Sequence, residues 1–181
     1  MSSDFYSLTV NEVIKETEDC VSLSFNIPNE IKNKFDFISG QYLTLKTKIN
    51  GEEVRRSYSL CSEPSSGILK VAIKRVEGGL FSSFANQSIQ NGDTLESLLP
   101  AGNFKHTPQA EAEKNYVLFA AGSGITPILS ILKSILLHES NSRVVLFYGN
   151  KGFHSVIFRE EIESLKNRFL NRLSVNHIFS K

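Results

Sequence analysis

Arg55-Arg56-Ser57-Tyr58-Ser59-Leu60 places two cations, an aromatic ring and two hydroxyls within six residues. That set suits a large flat anionic ligand. A guanidinium fork takes a phosphate, a ring stacks, and small donors meet ring heteroatoms. A solvated edge strand explains the same six residues, since a basic pair beside an aromatic is common there. Gly78-Gly79 precedes Leu80-Phe81-Ser82-Ser83-Phe84-Ala85, a short helix-like run. The glycines free the backbone to approach something closely, and N–H groups at a helix start favour an anion. A plain loop before a helical turn is the alternative. Gly122-Ser123-Gly124-Ile125-Thr126-Pro127 follows an apolar run. It reads as a strand–loop–helix junction, with Thr126 as N-cap and Pro127 at the first helical position. Such a loop can approach a nucleotide phosphate, or it can be a tight turn that only starts the helix.

Two kinds of element position these stretches. Residues 6–13 mix apolar and polar positions like a half-buried strand. Val21, Leu23, Phe25 and Ile27 alternate with polar residues until Pro28. Leu43 and Leu45 alternate with Thr44 and Lys46, and Asn50-Gly51 is a hairpin signal before the strand carrying Arg56. Leu69, Val71 and Ile73 predict a further strand after the Pro64–Gly67 turn, and Thr94–Leu99 another after Asn91-Gly92. About six short strands with turns between them predict an antiparallel barrel or sandwich over residues 1–104.

Residues 105–114 lack apolar periodicity and read as a linker. From residue 115 the pattern changes. Tyr116–Ala121 is a continuous apolar run, as expected of a buried parallel strand. Ile128, Ile131, Leu132 and Ile135 recur at helical spacing. Arg143–Tyr148 predicts a strand, Phe158–Phe169 a helix and Leu173–Phe179 a third strand. This βαβαβ series implies a parallel sheet, with ligands beyond the carboxyl ends of its strands.

Composition excludes several roles. With 40% hydrophobic and 22% charged residues among 181, a folded core is expected. A net charge of +1 gives no bulk attraction to nucleic acid or membrane. No apolar run approaches the roughly 20 residues of a membrane span. The polar start Met1-Ser2-Ser3-Asp4 is unlike a signal peptide, so a cytoplasmic protein is expected. Cys20 and Cys61 form no zinc or redox pattern and read as buried thiols, and the four histidines are scattered, so no metal is assigned.

A β-barrel with Arg-x-Tyr-Ser, a linker, and a βαβ unit opening on Gly-x-Gly-x-Thr-Pro resembles the ferredoxin–NADP reductase superfamily. The order of several motifs matches over nearly the whole chain. Within it, Glu-Glu-Val-Arg-Arg-Ser-Tyr-Ser-Leu-Cys-Ser (52–62), Val-Ala-Ile-Lys-Arg-Val (71–76) and Ser-Val-Ile-Phe-Arg-Glu-Glu (155–161) look most like the reductase components of phenylacetyl-CoA oxygenases. That group passes electrons from NADPH through FAD and an iron–sulfur centre to an oxygenase in phenylacetate breakdown.

The resemblance implies roles. Arg56 would bind the FAD pyrophosphate, Tyr58 would stack on the isoalloxazine, and Ser59 would lie near the atom where hydride arrives. Tyr58 and Ser59 are thus the implied catalytic pair, with Leu60 beside them. Ile73 and Lys74 would run beside the flavin. Gly79, Leu80, Phe81 and Ser82 would hold the pyrophosphate through N–H groups and the Ser82 hydroxyl. Gly122, Gly124, Thr126 and Pro127 would form the NADP (or NAD) loop of an α/β Rossmann-like domain over 115–181, with Thr126 near the nicotinamide. Ser180-Lys181 falls where the family carries a 2′-phosphate site, lysine standing in place of a guanidinium fork. Arg55 is expected to be a solvent charge. The family's remaining strands and its [2Fe–2S] domain, with C-x4-C-x2-C spacing, do not occur in this sequence. A truncated chain, with flavin binding but incomplete hydride transfer as the alternative activity, is the corresponding expectation.

Overall fold

The computed structural model describes residues 4–180. β1 (Tyr6–Thr17), β2 (Cys20–Asn26), β3 (Tyr42–Ile49), β4 (Glu52–Ser59), β5 (Leu69–Lys74) and β6 (Thr94–Ser97) form one antiparallel sheet in the order β4-β3-β6-β1-β2-β5. α1 (Leu80–Gln87) lies between β5 and β6. The two outer strands approach each other past the end of β4. Leu60 bridges Val71, and the Cys61 N–H donates to the Lys70 carbonyl at 2.9 Å. The sheet therefore curls on itself around one core of Leu8, Leu23, Leu43, Leu45, Val71 and Phe81. This is a curled antiparallel barrel, one of the two architectures, barrel or sandwich, that the alternation implied.

Local chemistry accounts for the strands. Leu43 and Leu45 face inward while Thr44 and Lys46 lie between them on the other face. Asn50 and Gly51 both have positive φ (52° and 84°), the turn that matches strand twist in a tight hairpin. β1 runs on to Thr17, beyond the expected 6–13. Register shifts at Val10/Glu12 and Lys15/Thr17 break the alternation that would have marked it. β6 stops at Ser97 rather than Leu99. A 3-10 turn over Asn29–Phe35 buries Phe35 edge-on to Tyr6, and its apolar content was too sparse to signal it.

The second unit is β7 (Asn115–Ala121), α2 (Ile125–His138), β8 (Arg143–Asn150), α3 (Arg159–Arg168) and β9 (Leu173–Phe179). Its strands are parallel in the order β7-β8-β9. Ile128, Leu129, Leu132 and Ile135 of α2 and Ile162 of α3 pack on the face bearing Leu118, Leu146 and Tyr148.

Three expectations need correction. The apolar run Tyr116–Ala121 is not buried on both sides. Val117 is 55% and Phe119 70% exposed, with Phe119 stacked on Phe147 at 5.3 Å. Both helices cover the opposite face, and an apolar run does not say which faces find a partner. Thr126 is not the N-cap, nor is Pro127 the first helical residue. A 3-10 turn over Gly122–Gly124 leads into α2, Gly124 is the cap, and the two follow as second and third residues. Proline is harmless there because first-turn N–H groups have no helical acceptor. Finally, the polar stretch 105–114 is tied down. The His106 N–H donates to Ser39 O (3.0 Å), and the Ser39 hydroxyl donates to His106 O (2.7 Å). His106, the Gln109 N–H and Tyr116 converge on Glu139, which is fully buried.

The units share a packed junction. Cys20, Cys61 and Ala72 of the barrel lie in one cluster with Ile125 and Leu129 of α2. Both cysteines are free thiols, pushed up to about 12 by burial and so unreactive as placed. No helix among the described residues is long and apolar enough to cross a membrane.

Candidate functional site

Along β4 the side chains alternate, so Arg56 and Tyr58 share one face. The two arginines differ in what holds them. Arg55 pairs with Glu53 (2.5 Å) and lies over the Phe5 ring. Arg56 is exposed and donates Nη1 to the Arg55 carbonyl (2.6 Å). Among the described residues no carboxylate pairs with it, so its charge is available to an anion. Tyr58 is half-buried, its ring 5.6 Å from that of Phe81. Burial pushes its phenol up to about 12 against the pull of Arg56, so the hydroxyl stays protonated at neutral pH. Ser57 is engaged with Thr44 at 2.9 Å, whereas the Ser59 hydroxyl has no partner among the described residues.

The start of α1 adds donors beside this strand. The Gly79 N–H is taken by Val76 O, and the first helical bond runs from Ser83 N to Gly79 O. The N–H groups of Leu80, Phe81 and Ser82 therefore have no acceptor among the described residues. A Cβ on Gly79 would collide with Ser82 Oγ and Val76 O, so only glycine lets the chain turn here.

Several sequence candidates prove to be supports. Leu60, Ile73 and Phe81 lie in the barrel core, at 0%, 0% and 1% exposure. Their side chains hold the strand and helix; they cannot touch a ligand outside the core. Ser82 is also turned inward. Its Oγ accepts the Val76 N–H (3.1 Å) and donates to Gly79 O (3.3 Å), which braces the loop. What the helix start leaves free is backbone N–H, not the Ser82 hydroxyl.

A second concavity, of roughly 430 Å³, lies at the carboxyl ends of β7, β8 and β9. Ala121, Gly122, Gly149, Asn150 and Ser180 line it, and Lys74 from barrel strand β5 closes one side. Lys74 is held there by Asp19 at 3.4 Å. A larger hollow, roughly 570 Å³, runs between Ser24 and Lys70 of the barrel and Glu161 and Arg168 of α3, and takes no residue from either motif. The chemistry favours the smaller cleft, because strand ends and helix N-termini are where open α/β sheets bind ligands.

Gly122 has φ +50° and its carbonyl accepts the Tyr148 hydroxyl at 3.0 Å. No atom lies within 4 Å of where a Cβ on Gly122 or Gly124 would sit, so the backbone there is open to approach. Thr126 is buried with its hydroxyl on Ser123 O (3.0 Å). It braces the loop and does not face the cleft, and Pro127 follows it inside the helix. The structure thus brings Gly122 and Lys74 to one cleft, and Arg56, Tyr58, Ser59 and the start of α1 to one flank of the barrel. Sequence reading missed Gly149, Asn150 and Phe179. The carboxyl-end rule applied to β8 and β9 would have found them. Lys181 lies outside the described residues.

Residues 7–106 match the oxidoreductase FAD-binding domain family, and residues 118–181 the oxidoreductase NAD-binding domain family. A 1,2-phenylacetyl-CoA epoxidase subunit from Escherichia coli is 44% identical over 177 residues, covering 98% of this chain and 50% of its own length. The ferredoxin reductase component of 3-ketosteroid-9-alpha-monooxygenase from Rhodococcus rhodochrous is 43% identical over 172 residues, 94% of this chain and 48% of its own. The chain spans about half the length of the curated relatives it matches. Among solved structures, the flavohem-like FAD/NAD-binding domain of nitric oxide dioxygenase from Vibrio cholerae superposes with a TM-score of 0.86 at 23% identity, covering 98% of this chain and 75% of that one. Ferredoxin–NADP+ reductase from Plasmodium falciparum gives 0.82 at 21% identity, with 98% and 74% covered.

Proposed function

The chain belongs to the oxidoreductase family that joins an FAD-binding to an NAD-binding domain, and on that premise we propose that it takes a hydride from NADPH or NADH onto FAD held by the barrel. One observation carries the reading. An unpaired guanidinium, a half-exposed ring and a free hydroxyl stand along β4, and the glycine-lined cleft of the second unit is walled by Lys74 of the same barrel. The proposed units are residues 1–104 and 115–181, with 105–114 between them.

FAD, when bound, supplies hydride acceptance and release of single electrons. The chain's residues bind and orient. Arg56 and the N–H groups of Leu80, Phe81 and Ser82 hold the pyrophosphate, a charge-assisted fork beside a helix start. Tyr58 offers its ring to the flavin's face and, being protonated, adds no charge there. Ser59 offers a donor to a flavin ring nitrogen. Gly122 and Gly124 let the nucleotide approach the backbone at the start of α2. Hydride transfer onto the flavin asks no side chain to move a proton, so the chain's contribution is binding and orientation.

We assign the downstream partner as the oxygenase component of a multi-component system of the phenylacetyl-CoA epoxidase type. The names of the relatives support this. The iron–sulfur relay on that route is assigned to a [2Fe–2S] domain outside these residues, because Cys20 and Cys61 are buried in the junction core.

The test is reconstitution with FAD and anaerobic addition of NADPH or NADH while the yellow flavin band is followed. Bleaching at enzymatic speed is the expected result. A bound flavin bleached by dithionite but not by either nucleotide reduces the chain to a flavin-binding module. A folded chain that takes up no FAD ends both readings.

A further inference from the structure

Lys151 follows β8 directly and stands exposed at the strand-end cleft. The Ser180 N–H donates to the Asn150 carbonyl at 3.1 Å, so Lys151 leaves the sheet beside the end of β9. Two lysines line the cleft, and they differ in how their charge is met. Lys74 is matched by Asp19 at 3.4 Å. Lys151 has no carboxylate, hydrogen-bond acceptor or ring as partner among the described residues. No aspartate or glutamate is among the described residues lining the cleft. The cleft wall therefore carries one unmatched positive charge and no group that repels an anion.

Charge at this place bears on which nucleotide fits. A carboxylate at such a strand end accepts from the ribose hydroxyl of NAD, whereas a cation accommodates a phosphate on that ribose. An ammonium has three donors and no acceptor, so a ribose diol offers it only neutral oxygens. A phosphate offers a charge-assisted contact, which is roughly twice as strong. The route of the ligand agrees. On the proposed function the nicotinamide turns to the barrel, and the start of α2 favours the bridging phosphates. The adenosine ribose then extends over the ends of β8 and β9, each strand about 4.8 Å from the last. Lys151 stands there.

We propose that Lys151 is a specificity-determining residue of the cleft, holding the phosphate on the adenosine ribose of NADP(H) and so favouring it over NAD(H). The inference rests on the cleft being the nucleotide site. Two other roles compete. Lys151 could be a solvated surface charge, or it could hold the bridging phosphates that both dinucleotides share. The three roles differ in which nucleotide responds when the charge is changed.

The experiment uses the full chain loaded with FAD, native and as Lys151→Gln, Lys151→Glu and Lys151→Arg. Each is titrated calorimetrically with NADP+ and, separately, with NAD+. The native chain is expected to bind NADP+ more tightly. Lys151→Gln should weaken NADP+ roughly tenfold and leave NAD+ unchanged. Lys151→Glu should make NAD+ the tighter ligand, and Lys151→Arg should keep the native order. The same deficit should appear with 2′-phospho-AMP and be absent with AMP. Urea midpoints should stay at the native value, because the side chain has no partner in the fold to lose. Unchanged NADP+ affinity in Lys151→Gln makes the residue a surface charge and overturns the proposal. Equal weakening of NADP+ and NAD+ moves the contact to the bridging phosphates and also overturns it, as does a native chain that prefers NAD+. A native chain that binds flavin but neither dinucleotide removes the cleft assignment itself, and this contact with it.

Discussion

The Ser130 hydroxyl donates to the Ser62 carbonyl at 2.6 Å in a fully buried contact between the two units. One turn further along α2, Lys133 reaches Cys61 O at 3.0 Å and pairs with Glu161 of α3. The helix begins at the Gly122–Gly124 loop, and Cys61-Ser62 follow Tyr58-Ser59-Leu60 without a break. A single helix therefore ties the proposed nucleotide loop to the strand bearing the proposed flavin contacts. Ser130→Ala leaves Ser62 O unpaired in the junction and is expected to cost about 1–3 kcal/mol. Urea denaturation measures it; an unchanged midpoint would mean that the contact holds nothing.

Arg56→Ala should weaken FAD by about 1.5–3 kcal/mol, because a charge-assisted phosphate contact is lost. Ser82→Ala should act differently. Its hydroxyl serves the Val76 N–H and Gly79 O, so the loss falls on stability first and on flavin affinity only through a loosened loop. Flavin titration and thermal melting of the two variants separate the effects. Equal losses of flavin affinity would contradict the assignment of phosphate binding to Arg56 and backbone donors.

The two loop glycines make opposite predictions. Gly122 sits at φ +50°, where a Cβ is strained by about 1–2 kcal/mol, so Gly122→Ala should destabilise the chain. Gly124 is an ordinary right-handed N-cap at φ −63° with open space around it. Gly124→Ala should keep the melting temperature and lose nucleotide affinity. A Gly124→Ala chain that binds nucleotide normally would show that the open face of this loop is not used.

Glu139, like Asp19 and Glu63, is held below its ordinary carboxylate range and so contributes to the acid limb of stability. Burial alone would raise its pKa, but bonds from Ser142, the Gln109 N–H, Tyr116 and His106 outweigh it and hold the carboxyl below its ordinary 4.5. A depressed folded pKa gives stability that is fully present above the unfolded value and is lost as pH falls through the folded one. The native chain should therefore weaken below about pH 4.5. Glu139→Gln should be weaker than native at neutral pH and show a flatter acid limb. Denaturant midpoints measured from pH 7 down to pH 3 test this, and parallel curves for the two proteins would contradict it.

Phe119 is 70% exposed on the uncovered sheet face, stacked on Phe147. Phe119→Lys should change stability by under about 1 kcal/mol, since little burial is lost. It should reduce self-association of the chain at high concentration. Sedimentation velocity across a concentration series would show it, and native-like association in the variant would mean that the face is not sticky.

Several local features were legible because they depend on local rules. Asn50-Gly51 marks a tight hairpin, and Arg56 and Tyr58 share a face by strand alternation alone. What misled was any inference about which way a side chain is spent. Ser82 and Thr126 carry hydroxyls in the expected places, yet both are turned onto neighbouring backbone. Phe81 sits in the expected helix, yet it belongs to the core.

By itself the sequence determined the two units, their strand and helix types and the order of the anion-ready loops. Periodicity and turn chemistry are properties of neighbouring residues. Tertiary structure alone decided that α2 and α3 share one sheet face and leave Phe119 open, that Ser130 meets Ser62, and that Lys74 of the barrel and Asn150 at the end of β8 line one cleft. These depend on contacts between segments far apart in the chain, which are set by packing and by which polar groups find partners once water is excluded.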